Sequence, residues 1–276
     1  MADVDDFDSV RDDNDPLRRA RRAAALQTHY TQRATELSRL RKAAIEEAHR
    51  DLNLSYTEIA KALGISKGRI TQIRGSAPAQ ERAFFGVGPV AVGVPLRHGT
   101  DHRMRTYVDA ADLTARAQAE SILVGLSLAA EPFNIEPDLE TPPAGDSIII
   151  CGPRSAPVAA NLLSQDVHLG FTREDERWRI DDHESGAMYF SPRLANPPQD
   201  EEFGYFARHR DEDRVVVHVA GITAVGSSGV LHYLETNVRE LFSSQGDTSF
   251  SLIVKCTFDS DTAITGSELV AGPYSW

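Results

Sequence analysis

Two segments constrain this fold more than any others: IIICGPRSAPVAANLL at 148–163 and VVVHVAGITAVGSSGVLHYL at 215–234. Each opens on an apolar run too short for a buried helix, passes through a glycine-containing turn, and resumes at helical spacing. An unbroken apolar strand is buried on both faces, and strands alternating with helices require crossover connections. The expected class for residues 83–276 is therefore an α/β domain with a doubly wound, mostly parallel sheet. The remaining pattern agrees. VGPVAVGVPL at 87–96 reads as a strand and 109–130 as a helix closed by Pro132, with a polar loop at 134–145. Strands are expected at 147–152, 187–190, 203–208, 214–221, 250–258 and 263–271, and helices at 155–163 and 225–243.

In open sheets of this kind ligands collect at the carboxyl ends of the strands, where helix amides face outward. The candidate ligand-binding residues are therefore Gly152, Pro153, Arg154 and Ser155 after the first strand, and Gly221, Gly226, Ser227, Ser228 and Gly229 after the second. Arg154 offers a cation, the glycines close backbone approach, and the serines hydroxyls for phosphate or ribose. GITAVGSSG is neither the GxGxxG fingerprint nor a P-loop, and a glycine turn can equally serve only to pack helix on strand. The run resembles the nucleotide-binding Rossmann-like sensor and effector domains of bacterial signalling and conflict systems, which implies a nucleotide or phosphorylated small molecule as ligand. No cofactor is demanded by any pattern.

The N-terminal part reads differently. Residues 17–50 are rich in Ala, Leu, Gln and Arg and should be helical. In LSYTEIAKALGISKGRITQIR, Ser55 and Glu58 form a capping box, Gly64 supplies a left-handed turn, Ser66 caps a second helix, and Ile70 and Ile73 give that helix an apolar face. Ala60, Gly64 and Ile70 carry the small residue, tight turn and branched plug that a helix-turn-helix needs. Over roughly 36–75 the chain resembles the promoter-recognition helix-turn-helix, the fourth conserved region, of bacterial sigma factors. The promoter-melting region of those proteins has no counterpart here. The resemblance implies an all-α domain at 17–76, its helix-turn-helix at 55–74, that binds double-stranded DNA. Ser55, Thr57, Ser66, Lys67, Arg69, Thr71, Gln72 and Arg74 would then face phosphates and base edges. Such domains usually act as dimers.

The net charge of -12 seems to argue against nucleic acid, but it averages opposed parts. Residues 1–16 hold one Arg and seven Asp (net -6), 17–82 hold 14 basic and 6 acidic side chains (+8), and 83–276 hold 14 and 28 (-14). A basic block of that size favours a polyanionic partner. The acidic segment 1–16 is expected to be disordered. Arg18, Arg19, Arg21 and Arg22 stand at a helix start, where the dipole disfavours cations, unless a phosphate or the Asp-rich tail relieves them.

No catalytic residue is assigned. His98 and His102 in RHGTDHR have a metal-like spacing without a further ligand, and His183 with Asp181, Asp182 and Glu184 reads as polar surface. His218 reads as a core histidine. Ser227 or Ser228 with His232 makes no nucleophile elbow. Glu235 could serve glycosidic-bond cleavage if it faced the pocket, and Trp178 and Tyr189 could stack a base. No metal site is expected. Cys151 and Cys256 in apolar runs point to a reducing interior. No apolar run spans a bilayer and no secretory leader is visible. The expected protein is a cytoplasmic, homodimeric transcriptional regulator whose α/β domain senses a small anionic or nucleotide-like effector. The alternative is a nucleotide-processing enzyme or conflict-system effector targeted by its helix-turn-helix.

Overall fold

The computed structural model describes residues 7–99 and 105–276. The elements run in chain order as α1 (Phe7–Arg11), α2 (Pro16–Asp51), α3 (Tyr56–Ala62), α4 (Lys67–Ser76), β1 (Val90–Pro95), β2 (Arg97–Gly99), β3 (Arg105–Tyr107), α5 (Ala110–Gly125), β4 (Ala130–Ile135), β5 (Ser147–Ile150), α6 (Pro157–Leu163), β6 (Leu169–Glu174), β7 (Arg177–Asp182), β8 (Met188–Phe190), β9 (Glu201–Arg210), β10 (Val215–Gly221), α7 (Ala224–Gln245), β11 (Phe250–Phe258) and β12 (Ile264–Ser275). A 3₁₀ turn, Gln80–Phe85, joins the helical part to β1.

The expected fold class is corrected on two counts. First, the sheet is mixed rather than mostly parallel. Seven strands lie in the order β12-β11-β9-β10-β5-β1-β4. The neighbours β4–β1, β1–β5 and β5–β10 pair parallel, and β10–β9, β9–β11 and β11–β12 pair antiparallel. The reason is connection length. Only a few residues separate β9 from β10 and β11 from β12, which suffices for a hairpin but not for a crossover. Second, the N-terminal part is built on one 36-residue helix, α2, and is not the all-α helix-turn-helix domain expected at 17–76. Nothing in PLRRARRAAALQTHYTQRATELSRLRKAAIEEAHRD breaks the helix after Pro16 sets its first turn. Two short helices, α3 and α4, dock on its C-terminal end through Ile45, Ile59, Ala60, Ile70 and Ile73.

Residues 7–16 of the segment expected to be disordered are ordered. They form α1 and the cap of α2, where Asp15 accepts from the amides of Leu17 and Arg18. Asp13 is buried beneath Arg18 and Arg22, at 2.7 and 2.8 Å, and the two guanidiniums hold its carboxyl well below the usual carboxylate range. The fold thus relieves the arginine-rich helix start with its own aspartates. Asp3, Asp5 and Asp6 lie outside the described residues, as does His102.

The sheet is covered on one face by α5 and α7 over a core that includes Phe84, Val92, Leu123, Phe206, Leu234 and Phe250. The opposite face carries α6 and the small sheet β6-β7-β8. Five strands differ from the sequence expectation. Pro132 does not follow a helix but sits in β4, the edge strand, where a missing N–H costs no ladder bond. The hairpin β6–β7 and the short pair β2–β3 were not expected at all.

His218 on β10 is fully buried, and its Nε2 donates to the Cys151 carbonyl oxygen at 2.8 Å. Burial pushes its pKa down to about 4, so the ring is neutral at physiological pH, as expected of a core histidine.

Candidate functional site

The carboxyl ends of β1, β5 and β10 open into a cavity of about 230 Å³. It lies within the parallel half of the sheet. Gly152, Pro153, Arg154 and Ser155 line it, together with Gly221 and Ser227, so six of the nine expected ligand-binding residues converge. The other three do not line it. A Cβ on Gly226 would lie 2.2 Å from the Phe203 carbonyl oxygen, and one on Gly229 would meet the Cys256 side chain at 2.4 Å. These glycines let α7 approach β9 and β11, which is the packing alternative their sequence left open. Ser228 is half-buried on α7 outside the cavity.

Sequence reasoning missed part of the lining. Arg97 follows the end of β1 and pairs with Asp112, from the first turn of α5, at 2.9 Å. Burial raises the Asp112 pKa, and the Arg97 guanidinium opposes that rise. Among the described residues Arg97 Nε, though buried, has no hydrogen-bond partner. The remaining wall is Pro95, Ile150, Cys151, Ile222, Thr223 and Ala224. Its roof is Phe171 and Trp178 from the β6–β7 hairpin, ring centroids 6.5 Å apart and edge to face. Of these two rings the sequence singles out only Trp178 as a stacking candidate. Tyr189 packs on Phe203 at 5.1 Å instead and does not line the cavity. The position of Arg97, directly after an apolar strand, was the signal available in the sequence.

Electrostatics favour an anion here. Helix α7 is 22 residues long, begins at Ala224 on the cavity wall, and has no side-chain cap. Its Thr223 hydroxyl donates instead to Glu202, at 2.9 Å. Glu202 is fully buried, also accepts from Ser191 Oγ at 2.7 Å and Phe203 N at 2.9 Å, and is raised in pKa by burial. Ser227 Oγ accepts from the Gly221 amide at 2.9 Å, tying the strand end to the first turn of the helix. The positive end of the helix dipole is thus left facing the cavity. Arg154 stands exposed at the rim, with no ion pair among the described residues.

The other candidates disperse. Glu235 is exposed on α7 and does not line the cavity. His232 Nδ1 meets Ser267 Oγ at 2.7 Å, and His98 is exposed on β2. Asp182, expected at the surface, is buried and accepts from Ser185 and Tyr274. His183 is exposed. Among the described residues no group of three His, Cys, Asp or Glu side chains is placed to hold a metal ion. Cys151 and Cys256 are buried free thiols whose pKa values burial raises to about 12.

On the α3–α4 pair, Ser55, Thr57, Ser66, Lys67, Arg69, Thr71, Gln72 and Arg74 are all exposed. Ser55 and Glu58 cap each other, Gly64 has φ +66°, and Ser66 Oγ accepts from Arg69 N at 3.1 Å. Arg69 donates to Gln72 Oε1 at 2.6 Å, which holds two polar side chains one helical turn apart. Arg74 lies over the Tyr56 ring at 4.3 Å and 3.8 Å from Glu46. Among the described residues no helix is long and apolar enough to cross a membrane. The chain matches no family model, no curated protein and no solved structure, so its functional reading rests on this geometry.

Proposed function

We infer that this chain is a cytoplasmic, DNA-binding transcriptional regulator whose sheet cavity binds a small anionic, nucleotide-like effector. The observation that carries the reading is the outer side of α4. Ile70 and Ile73 are buried against α3 and α2 while Lys67, Arg69, Thr71 and Gln72 are exposed, and Arg74, also exposed, lies over Tyr56. These side chains combine phosphate-seeking cations with the fork and amide that read base edges. They also lie in the basic part of an otherwise acidic chain, so the rest of the molecule is kept from the polyanion. A cytoplasmic setting suits two buried free thiols.

Selection from a random duplex library followed by titration tests the first half. The double variant Arg69→Ala/Gln72→Ala should lose about 10–100-fold in affinity for the selected site, the worth of one good base contact. Retention of non-specific binding at low salt is also expected. Equal binding by wild type and variant would sink the reading.

The cavity is smaller than the ~300–1,000 Å³ that encloses a drug-sized ligand, so it holds a compact anion or the phosphate-bearing end of a longer molecule. Thermal unfolding with nucleoside monophosphates and with inorganic phosphate tests this half. A hundredfold excess over Kd should add about 2.7 kcal/mol of stability, absent in Arg154→Ala/Trp178→Ala. No shift with any of them at millimolar concentration would remove the effector from the proposal.

A further inference from the structure

The cavity at the strand ends occupies the point where the strand order reverses. Neighbouring strands β1 and β5 run parallel, yet the chain leaves β1 through α5 to reach β4 and leaves β5 through α6 toward the β10 side. Helices α5 and α6 lie on opposite faces of the sheet, so a crevice opens where they part. Open sheets take their ligands in such a crevice. This one has two chemically different ends. Over β10 stand Thr223, Ala224 and Ser227 at the start of α7, and over β1 stand Arg97 and Asp112. Strand β5 lies between, so the two ends are two strand spacings apart, about 9–10 Å.

We propose that this cavity takes a ribose 5-phosphate unit, with the phosphate at the start of α7 and the vicinal hydroxyls on Asp112. At the phosphate end, α7 has no side-chain cap, and the Ala224 amide has no acceptor among the described residues. Asp112 specifies the other end. It is only 6% exposed and accepts from Arg97 Nη2 on Oδ2 at 2.9 Å, while its Oδ1 receives no donor among the described residues. A buried carboxylate of this kind gains from any donor that reaches its second oxygen. A second anion there would be repelled, and an ammonium would sit against the Arg97 guanidinium. A hydroxyl donates to Oδ1 without bringing a charge beside either partner. Inorganic phosphate is too short to span both ends. Ribose 5-phosphate carries its 2- and 3-hydroxyls on the side of the ring away from the phosphate-bearing carbon. A volume of about 230 Å³ encloses little more than that unit, so the base of a nucleotide extends beyond it, with Trp178 as the available stacking face.

This assignment rests on the anion-binding reading of the cavity and is independent of the DNA-binding reading. The same ribose 5-phosphate chemistry has two sources, a free sugar phosphate and a nucleotide. A purely structural Arg97–Asp112 pair, bracing α5 against the end of β1, would not tell a ligand with both hydroxyls from one that lacks the 2-hydroxyl. Discrimination between those ligands is therefore the property to measure.

Calorimetric titration of the full chain with ribose 5-phosphate, 2-deoxyribose 5-phosphate, AMP, dAMP and inorganic phosphate makes that measurement. Each ribose compound should bind about 10–100-fold more tightly than its deoxy counterpart, the worth of a hydrogen bond to a charged group. Asp112→Asn, which keeps the side chain's shape, should bring both ratios close to one and leave the affinity for inorganic phosphate unchanged. The wild-type ratios need no variant, so they decide the matter even where Asp112→Asn fails to fold. Ratios close to one in wild type, or ratios that persist in Asp112→Asn, would overturn the proposal and leave the anion site standing. Failure of all five ligands to bind would sink the anion reading and this proposal with it. AMP binding more tightly than ribose 5-phosphate, with the excess lost in Trp178→Ala, assigns a nucleotide as the source, and equal affinities assign a free sugar phosphate.

Discussion

Replacing Arg82 by alanine is expected to cost about 3–5 kcal/mol of folding free energy, the price of breaking a buried, multiply bonded charge. Arg82 is fully buried. Its guanidinium donates to the Ser127 carbonyl at 2.7 Å, the Val87 carbonyl at 2.5 Å and Gln32 Oε1 at 2.9 Å, and lies 3.6 Å from Glu36. One side chain therefore joins α2 to the end of α5 and the start of β1. Alanine would leave three oxygens without donors, while Glu36 would keep Arg39 at 2.6 Å. Because a domain is stable by only ~5–15 kcal/mol, this single loss removes a large share. Urea unfolding reads it, and a loss under about 1 kcal/mol would show that water replaces the fork without penalty. The position also ties α2 to the helix that lines the cavity. Helix α5 begins at the cavity with Asp112, and the turn after its last residue ends on Arg82 through Ser127. The cavity wall and α2 are thus joined through α5. Arg208 reinforces the same seam, donating to the Phe84 and Thr248 carbonyls at 2.8 and 2.7 Å.

Gly226→Ala is the second large effect expected, a destabilisation of about 3 kcal/mol or more from overpacking against backbone that cannot yield. Gly204 on β9, Gly221 at the end of β10 and Gly226 on α7 meet where helix and sheet are closest. A Cβ on Gly204 would approach the Gly226 carbonyl to 2.3 Å, and one on Gly221 the Thr223 carbonyl to 2.1 Å. Gly75 in α4 is the control. It has nothing within 4 Å of its added Cβ, so Gly75→Ala should raise stability by roughly 0.5–1 kcal/mol through helix propensity. Chemical denaturation of the two variants should give opposite signs. A neutral Gly226→Ala would mean that α7 can move away from the sheet at little cost.

The cavity was legible where local chemistry writes itself into sequence. The apolar runs at 148–150 and 215–219 became β5 and β10, and the turns after them supply six lining residues. The capping pattern at Ser55 and Ser66 likewise marked where α3 and α4 begin. The β6–β7 hairpin, which provides Phe171 and Trp178, was not legible. It turns through Asp175 and Glu176 at φ +46° and +68°, where glycine or asparagine is the usual signal. The Arg97–Asp112 pair joins residues 15 apart, from the strand end and the first turn of α5, and no local rule foretells it.

The sequence by itself determined which segments are apolar strands, where helices start, and which part of the chain is basic, because propensity, capping and charge act over a few residues. Tertiary structure alone decided that β9 enters between β10 and β11 and makes the sheet half antiparallel. It also decided that Arg82 and Arg208 are buried ties rather than surface cations, and that Gly226 and Gly229 pack rather than bind. Those outcomes depend on which backbone atoms meet across the core. Such contacts form only when distant segments compete for the same buried surface, and that competition leaves no pattern along the chain.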